Sequence, residues 1–135
     1  MTRPVLSLAF VVALSSAALS AHHSIAAVYD AGRQVTVDAV VTQFHFVYPH
    51  PFVMAEAKDA SGATRSWLLE MDNRRELEGV GMTSDTMKPG DRIIASGSPS
   101  LKQPNSLYLR RLDRPADRFR YEQIGTSPSI GVIPK

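Results

Sequence analysis

Hydrophobic and polar positions change period along this chain, and each change marks an element. Val35, Val37, Ala39 and Val41 alternate with Thr36, Asp38, Val40 and Thr42. A period of two sends successive side chains to opposite faces of a strand, so residues 35–46 read as a first strand. The tetrapeptide Tyr48-Pro49-His50-Pro51 ends it, because proline brings no N–H to a central ladder. Phe52–Lys58 reads as a second strand, Asp59-Ala60-Ser61-Gly62 as a turn with Gly62 at positive φ, and residues 64–71 as a third strand with Trp67, Leu69 and Met71 on one face. The period then lengthens. Asn73 followed three residues later by Glu76 has the form of a capping box, Leu77 and Val80 sit one helical turn apart, and Gly79 and Gly81 supply a stop. Residues 88–91 form a turn, 92–97 a fourth strand and 106–112 a fifth.

Three strands, a helix and two strands is the element order of the OB-fold. The expected class is therefore all-β: a five-stranded OB-like Greek-key barrel with one short helix between strands three and four. A plain five-stranded meander is the alternative. The chain before the first strand carries a different pattern. One positive charge at Arg3 precedes an apolar run at residues 5–14, too short to span a bilayer, and then the small residues of Ser15-Ser16-Ala17-Ala18. This is the layout of a secretory signal peptide rather than an anchor. The expected organisation is a signal peptide over 1–21, a single OB-like domain over 22–124 and a flexible C-terminal tail over 125–135, where no periodicity remains. Export implies the periplasm in a Gram-negative host, with no transmembrane anchor in the mature chain.

Composition narrows the chemistry. The chain has no cysteine, so neither a disulfide nor a thiolate nucleophile is available and a soft metal ligand must be methionine. The net charge of +2 is too small to argue for anionic partners. It is uneven, however: residues 22–100 hold seven Lys and Arg against ten Asp and Glu, and residues 101–122 hold six against three. The second stretch reads as a basic strip on one side of a small domain.

Several short motifs occur in order: Ala21-His22-His23-Ser24 at the cleavage region, Pro49-His50-Pro51-Phe52 between the first two strands, Trp67 and Glu70, and Met87-Lys88-Pro89-Gly90-Asp91. Together they resemble the exported bacterial family known as domain of unknown function 6152, over about residues 21–113. The resemblance implies a single exported β-rich domain, a mature start at His-His-Ser and no established activity. His22, His23, His50, Trp67, Glu70 and Gly90 are the positions that match. The chain departs from the family in two places, with Tyr48-Pro49-His50 where Asn-Pro-His is usual and Gly81-Met82-Thr83 where Gly-Trp-Thr is usual. His45 stands where the family is not usually histidine.

All four histidines lie in two short stretches, 22–23 and 45–50. Neutral imidazole is a common ligand for zinc and copper. If cleavage follows Ala21, the α-amine of His22, with an ordinary pKa of about 7.7–8.0, joins the ring Nδ1 of the same residue in a chelate suited to Cu(II). A third nitrogen from His50 or His23 completes a T-shaped set. If cleavage follows Ser20, the start Ala-His-His wraps Cu(II) or Ni(II) with the amine, backbone amides and the third-position ring. The resemblance favours the His22 start. Glu70 and Asp72 fall near His50 across the second turn and are candidate orienting partners or ligands, with His45 a further possible ligand.

These readings give a small exported binding protein that holds copper, or zinc, through the mature N-terminal histidines and a loop histidine, as chaperone, buffer or sensor. The alternative is a metal-free OB-like module that binds another envelope protein or a small anionic ligand. The signal peptide argues against nucleic acid as a partner. There is no G-x-S-x-G elbow, phosphate loop or cysteine nucleophile, so the expectation is a binding protein rather than an enzyme.

Overall fold

The computed structural model describes residues 25–135. Its elements are β1 (Val35–His45), β2 (Phe52–Lys58), β3 (Thr64–Glu70), a short helix α1 (Arg74–Gly79), β4 (Arg92–Pro99), β5 (Ser106–Arg114), β6 (Phe119–Ile124) and β7 (Ser127–Val132). β1 runs antiparallel to β2 and to β4, β2 to β3, and β4 to β5. The ring closes where Leu68, Leu69 and Glu70 of β3 lie parallel to Ser106, Leu107 and Tyr108 of β5. The result is a closed five-stranded barrel, β1-β2-β3-β5-β4, with one short helix between β3 and β4, the OB-like arrangement expected from the element order.

The alternating pattern of β1 is realised directly: Val37, Ala39 and Val41 are buried and Thr36, Asp38 and Val40 exposed. Val53, Ala55 and Ala57 from β2, Leu69 from β3, Ile93 and Ala95 from β4, and Leu107, Leu109 and Leu112 from β5 complete the barrel interior. The helix carries one buried side chain, Leu77, fully enclosed in this core. Its start is capped as the sequence suggests, although the Asn73 side chain accepts from the Arg75 N–H at 2.8 Å, one residue earlier than a capping box requires. Its end is a Schellman motif. Gly81, at φ +96°, donates to the Glu78 carbonyl, and Met82 donates to the Leu77 carbonyl. Met82 and Leu77 are both buried, the hydrophobic contact that accompanies this motif.

Two local features shape the outer surface. Along β4 and β5, Ser96 pairs with Arg111 and Gly97 with Leu109, so Arg110 is the extra residue of a bulge. A Cβ built on Gly97 would lie 2.1 Å from the Tyr108 carbonyl oxygen, so the two backbones approach here as only glycine permits. The second feature corrects an expectation. Residues 127–132 are not a loose tail but strand β7, paired with β6, with Tyr121 opposite Ile130 and Phe119 opposite Val132. Tyr121 is fully buried and Ile130 packs against the core. Ser127, Pro128, Ser129 and Gly131 are poor strand formers, so β7 exists through its partner rather than through intrinsic propensity.

Candidate functional site

The chain before β1 lies against the barrel. A helical turn at 25–28 leads to Tyr29, which bridges to Ser100, while Asp30 N–H donates to the Pro99 carbonyl and Leu101 N–H to the Val28 carbonyl, both at 2.8 Å. Tyr29 is buried over the seam where Glu70 pairs with Tyr108. Its hydroxyl donates to Glu70 Oε2 at 2.5 Å, and its ring centre is 5.7 Å from that of Tyr108. Burial first, and then the bond to Glu70, raise the Tyr29 pKa well above its ordinary range, so Tyr29 remains a donor at neutral pH.

A cleft of about 360 Å³ opens beside this seam. Ile25 and Tyr29 line it from the N-terminal segment, His50 from the β1–β2 loop, Asp72 from the end of β3, Tyr108 and Arg110 from β5, and Gln123 from β6. His50 is held from several directions. Met71 N–H donates to the Pro51 carbonyl at 2.8 Å and Arg74 N–H to the Pro49 carbonyl at 2.9 Å. The Arg74 guanidinium donates to the Phe46 carbonyl and lies over the rings of Phe46 and Tyr48, at 4.8 and 4.5 Å. Tyr48 thus lies against the arginine that holds the loop.

The imidazole orientation follows from its partner. His50 Nδ1 is 2.9 Å from the Met71 carbonyl oxygen, which can only accept, so Nδ1 carries the hydrogen. In the neutral ring this leaves Nε2 with the lone pair, and a backbone carbonyl on the opposite nitrogen is the usual support of a metal-ligating histidine. Glu70 Oε1 lies 3.9 Å from the same Nδ1. Asp72 is committed differently. Its Oδ1 accepts from Asn73 N–H at 2.7 Å and its Oδ2 from Gln123 Nε2 at 2.6 Å, while Gln123 Oε1 accepts from the Tyr121 hydroxyl at 2.9 Å. The whole set is buried, which, with the nearby charges of Tyr108 and Asp72 added, raises the Tyr121 pKa far above its ordinary value.

Of the six candidate ligands, His22 and His23 lie outside the described residues. His50 and Asp72 line the cleft, and Glu70 stands beside His50. His45 does not join them: its ring stacks on Phe52 at 4.4 Å and its Nε2 is 2.7 Å from Gln43 Oε1. Met71 is enclosed in the core. Among the described residues no group of three or more histidines and carboxylates is arranged to hold a metal ion. Tyr29, Arg74 and Gln123 escaped the reading of the sequence, and Arg110 was read only as one member of the basic strip over 101–122. Gln123 had a signal just beyond that strip, where Phe119, Tyr121 and Gln123 alternate with Arg120 and Glu122.

The model of a family of unknown function (DUF6152) matches residues 9–106. The chain belongs to this family. The matched stretch contains every position on which the resemblance rests, and the fold explains two of them. Gly90 sits at φ +92° in the turn before β4, where its N–H donates to the Val41 carbonyl, and Trp67 packs half-buried against the core. A search of curated proteins and of solved structures returns no match. No helix among the described residues of this DUF6152 chain is long and apolar enough to cross a membrane.

Proposed function

We propose that this protein is a small exported binding protein, without catalytic activity, that holds one copper ion, or zinc in its place, between the mature N-terminal histidine and His50. One observation carries the reading: Ile25 and His50 line the same cleft. One residue, Ser24, separates His23 from Ile25, and each step of chain extends at most about 3.6 Å, so an imidazole at His22 or His23 starts within two or three such steps of a residue that lines the cleft with His50. The Nδ1 bond of His50 presents the correct nitrogen, and the proline-flanked, arginine-clamped loop holds the ring in place beforehand. Glu70 beside His50 and Asp72 further along the cleft supply negative charge that favours a cation. A set of nitrogen donors suits Cu(II) first and Zn(II) second.

The test is to express the precursor with export, measure the intact mass of the mature chain, and titrate it with Cu(II) and separately with Zn(II). A mass beginning at His22, with one tight equivalent lost in His22→Ala and in His50→Ala, is the expected result. A mass beginning at Ala21, with binding that survives His50→Ala, moves the metal wholly onto the N-terminal peptide and removes the role of the loop. Micromolar or weaker binding, unaltered by either substitution, overturns the metal reading.

A further inference from the structure

We propose that the bulge on β5 builds a second, independent binding site, in which Arg33 and Arg110 take the anionic head of a small organic molecule whose neutral body lies in the larger cleft against Tyr108. A second cavity of about 260 Å³ adjoins the first, lined by Arg33, Gln34, Gly97, Ser98 and Arg110 together with the 31–32 backbone. Its lining contains two guanidinium groups and no carboxylate. The nearest acid in sequence, Asp30, is turned onto the Gly32 N–H at 3.0 Å and is not part of the wall.

Arg110 differs from the other arginines of the basic strip. Arg111 and Arg120 both pair with Asp113, at 2.8 and 2.7 Å, and Arg114 pairs with Asp91 and Asp117, each at 2.8 Å. Arg118 donates to the Ile133 carbonyl. Arg110 has no carboxylate partner among the described residues. Its guanidinium lies 4.9 Å above the Tyr108 ring, and its one hydrogen bond there is a long one, 3.4 Å, to the Gly125 carbonyl. A guanidinium over an aromatic face and without a carboxylate partner has N–H donors left for a planar or tetrahedral oxyanion. The bulge turns this residue out of the ladder, and Gly97, whose missing side chain admits the Tyr108 backbone, lines the cavity beside it.

The two cavities are adjacent, with Ala31, Ser98 and Arg110 in the walls of both. From the head site a ligand body enters a space walled by Tyr108, Tyr29 and Ile25, and a cavity near 360 Å³ is within the range of about 300–1,000 Å³ of small-molecule pockets. Asp72 in the wall of that cleft opposes a second negative group. The ligand class is therefore a molecule with a single anionic head, carboxylate or phosphoryl, on an uncharged, partly apolar body. Neither His22 nor His50 is required, so the site stands or falls apart from the metal.

The experiment is a nitrogen-15 chemical-shift titration of the mature, metal-free protein in low-salt Tris chloride with phenyl phosphate, benzoate and inorganic phosphate as probes. Saturable shifts are expected at Gly97, Ser98 and Arg110, with phenyl phosphate or benzoate bound about tenfold more tightly than inorganic phosphate because the ring is buried. The tighter of the two organic probes identifies the head as phosphoryl or carboxylate. Arg110→Gln and, in an exposed loop where folding is not at stake, Arg33→Gln each weaken binding about tenfold, whereas Arg111→Gln leaves it unchanged. Absence of saturable shifts up to millimolar probe overturns the site. Equal weakening by Arg111→Gln also overturns it, since that outcome means diffuse positive charge. Inorganic phosphate binding as tightly as the organic anions overturns the assignment of the body to the larger cleft.

Discussion

Replacing Gly97 by alanine tests the close approach on which the β4–β5 bulge depends. The added Cβ would meet the Tyr108 carbonyl oxygen at 2.1 Å, its carbon at 2.9 Å and Leu109 Cα at 3.1 Å. All three are backbone atoms of the paired strand, so no rotamer change relieves the overlap, and β5 must retreat by about 1 Å or the ladder must open. Overpacking alone costs about 1–3 kcal/mol, and each ladder hydrogen bond lost adds about 1 kcal/mol. The sum is about 3–4 kcal/mol, against a total of about 5–15 kcal/mol for a domain. At about 4 °C per kcal/mol for a chain of this size, Tm falls by about 12–16 °C. Thermal unfolding followed by Trp67 fluorescence and circular dichroism measures this directly. Gly131→Ala is the control, because a Cβ there meets nothing within 4 Å. A Gly97→Ala protein that unfolds within about 3 °C of the parent, level with that control, would refute the reasoning.

Three further outcomes are expected. Tyr29→Phe removes the donor to Glu70 and loosens the N-terminal segment, so amide exchange at Tyr29, Asp30 and Leu101 accelerates by about tenfold, a loss of about 1–2 kcal/mol of local protection; unchanged exchange means the bond does not hold the segment. Gln123→Leu strips a buried donor from Asp72 and leaves the Tyr121 hydroxyl without its acceptor, costing about 2–3 kcal/mol in urea unfolding. The Asp59 carboxyl is held down to about 2 from its ordinary 3.8, first by the Ser61 hydroxyl and then by Arg65. A depressed folded pKa gives stability that is present above about pH 4 and is lost as pH falls toward 2. Asp59→Asn therefore flattens the stability curve between those values, and a curve of unchanged slope there contradicts the assignment.

The barrel was legible in the sequence because burial on one face of a strand leaves a period-two trace. Val37, Ala39 and Val41 show it without interruption, and the helix announced both its ends through Asn73 and Gly81. β7 left no such trace. Four of its six residues, Ser127, Pro128, Ser129 and Gly131, are small or imino, one edge is open, and its pairing to β6 supplies what propensity lacks. The cleft was less legible still. Its walls come from segments far apart in the chain, and the bulge that frees Arg110 has no signature in Leu109-Arg110-Arg111-Leu112. Sequence spacing placed His50 near Glu70 and Asp72, which is where they are, but could not show that Asp72 is bound to Gln123 from β6. Nor could it separate the paired arginines of the basic strip from the one that is not.

The parallel contact between β3 and β5 has a practical consequence for dissecting the molecule. The family match ends at residue 106, the first residue of β5. A fragment cut there would keep β1 to β4 and lose the strand that seals both β3 and β4, leaving two long edges of unpaired N–H and C=O groups around an apolar interior. Such a piece is a template for intermolecular strand addition and is expected to aggregate. The smallest soluble unit of this protein therefore extends beyond the stretch by which its family is recognised.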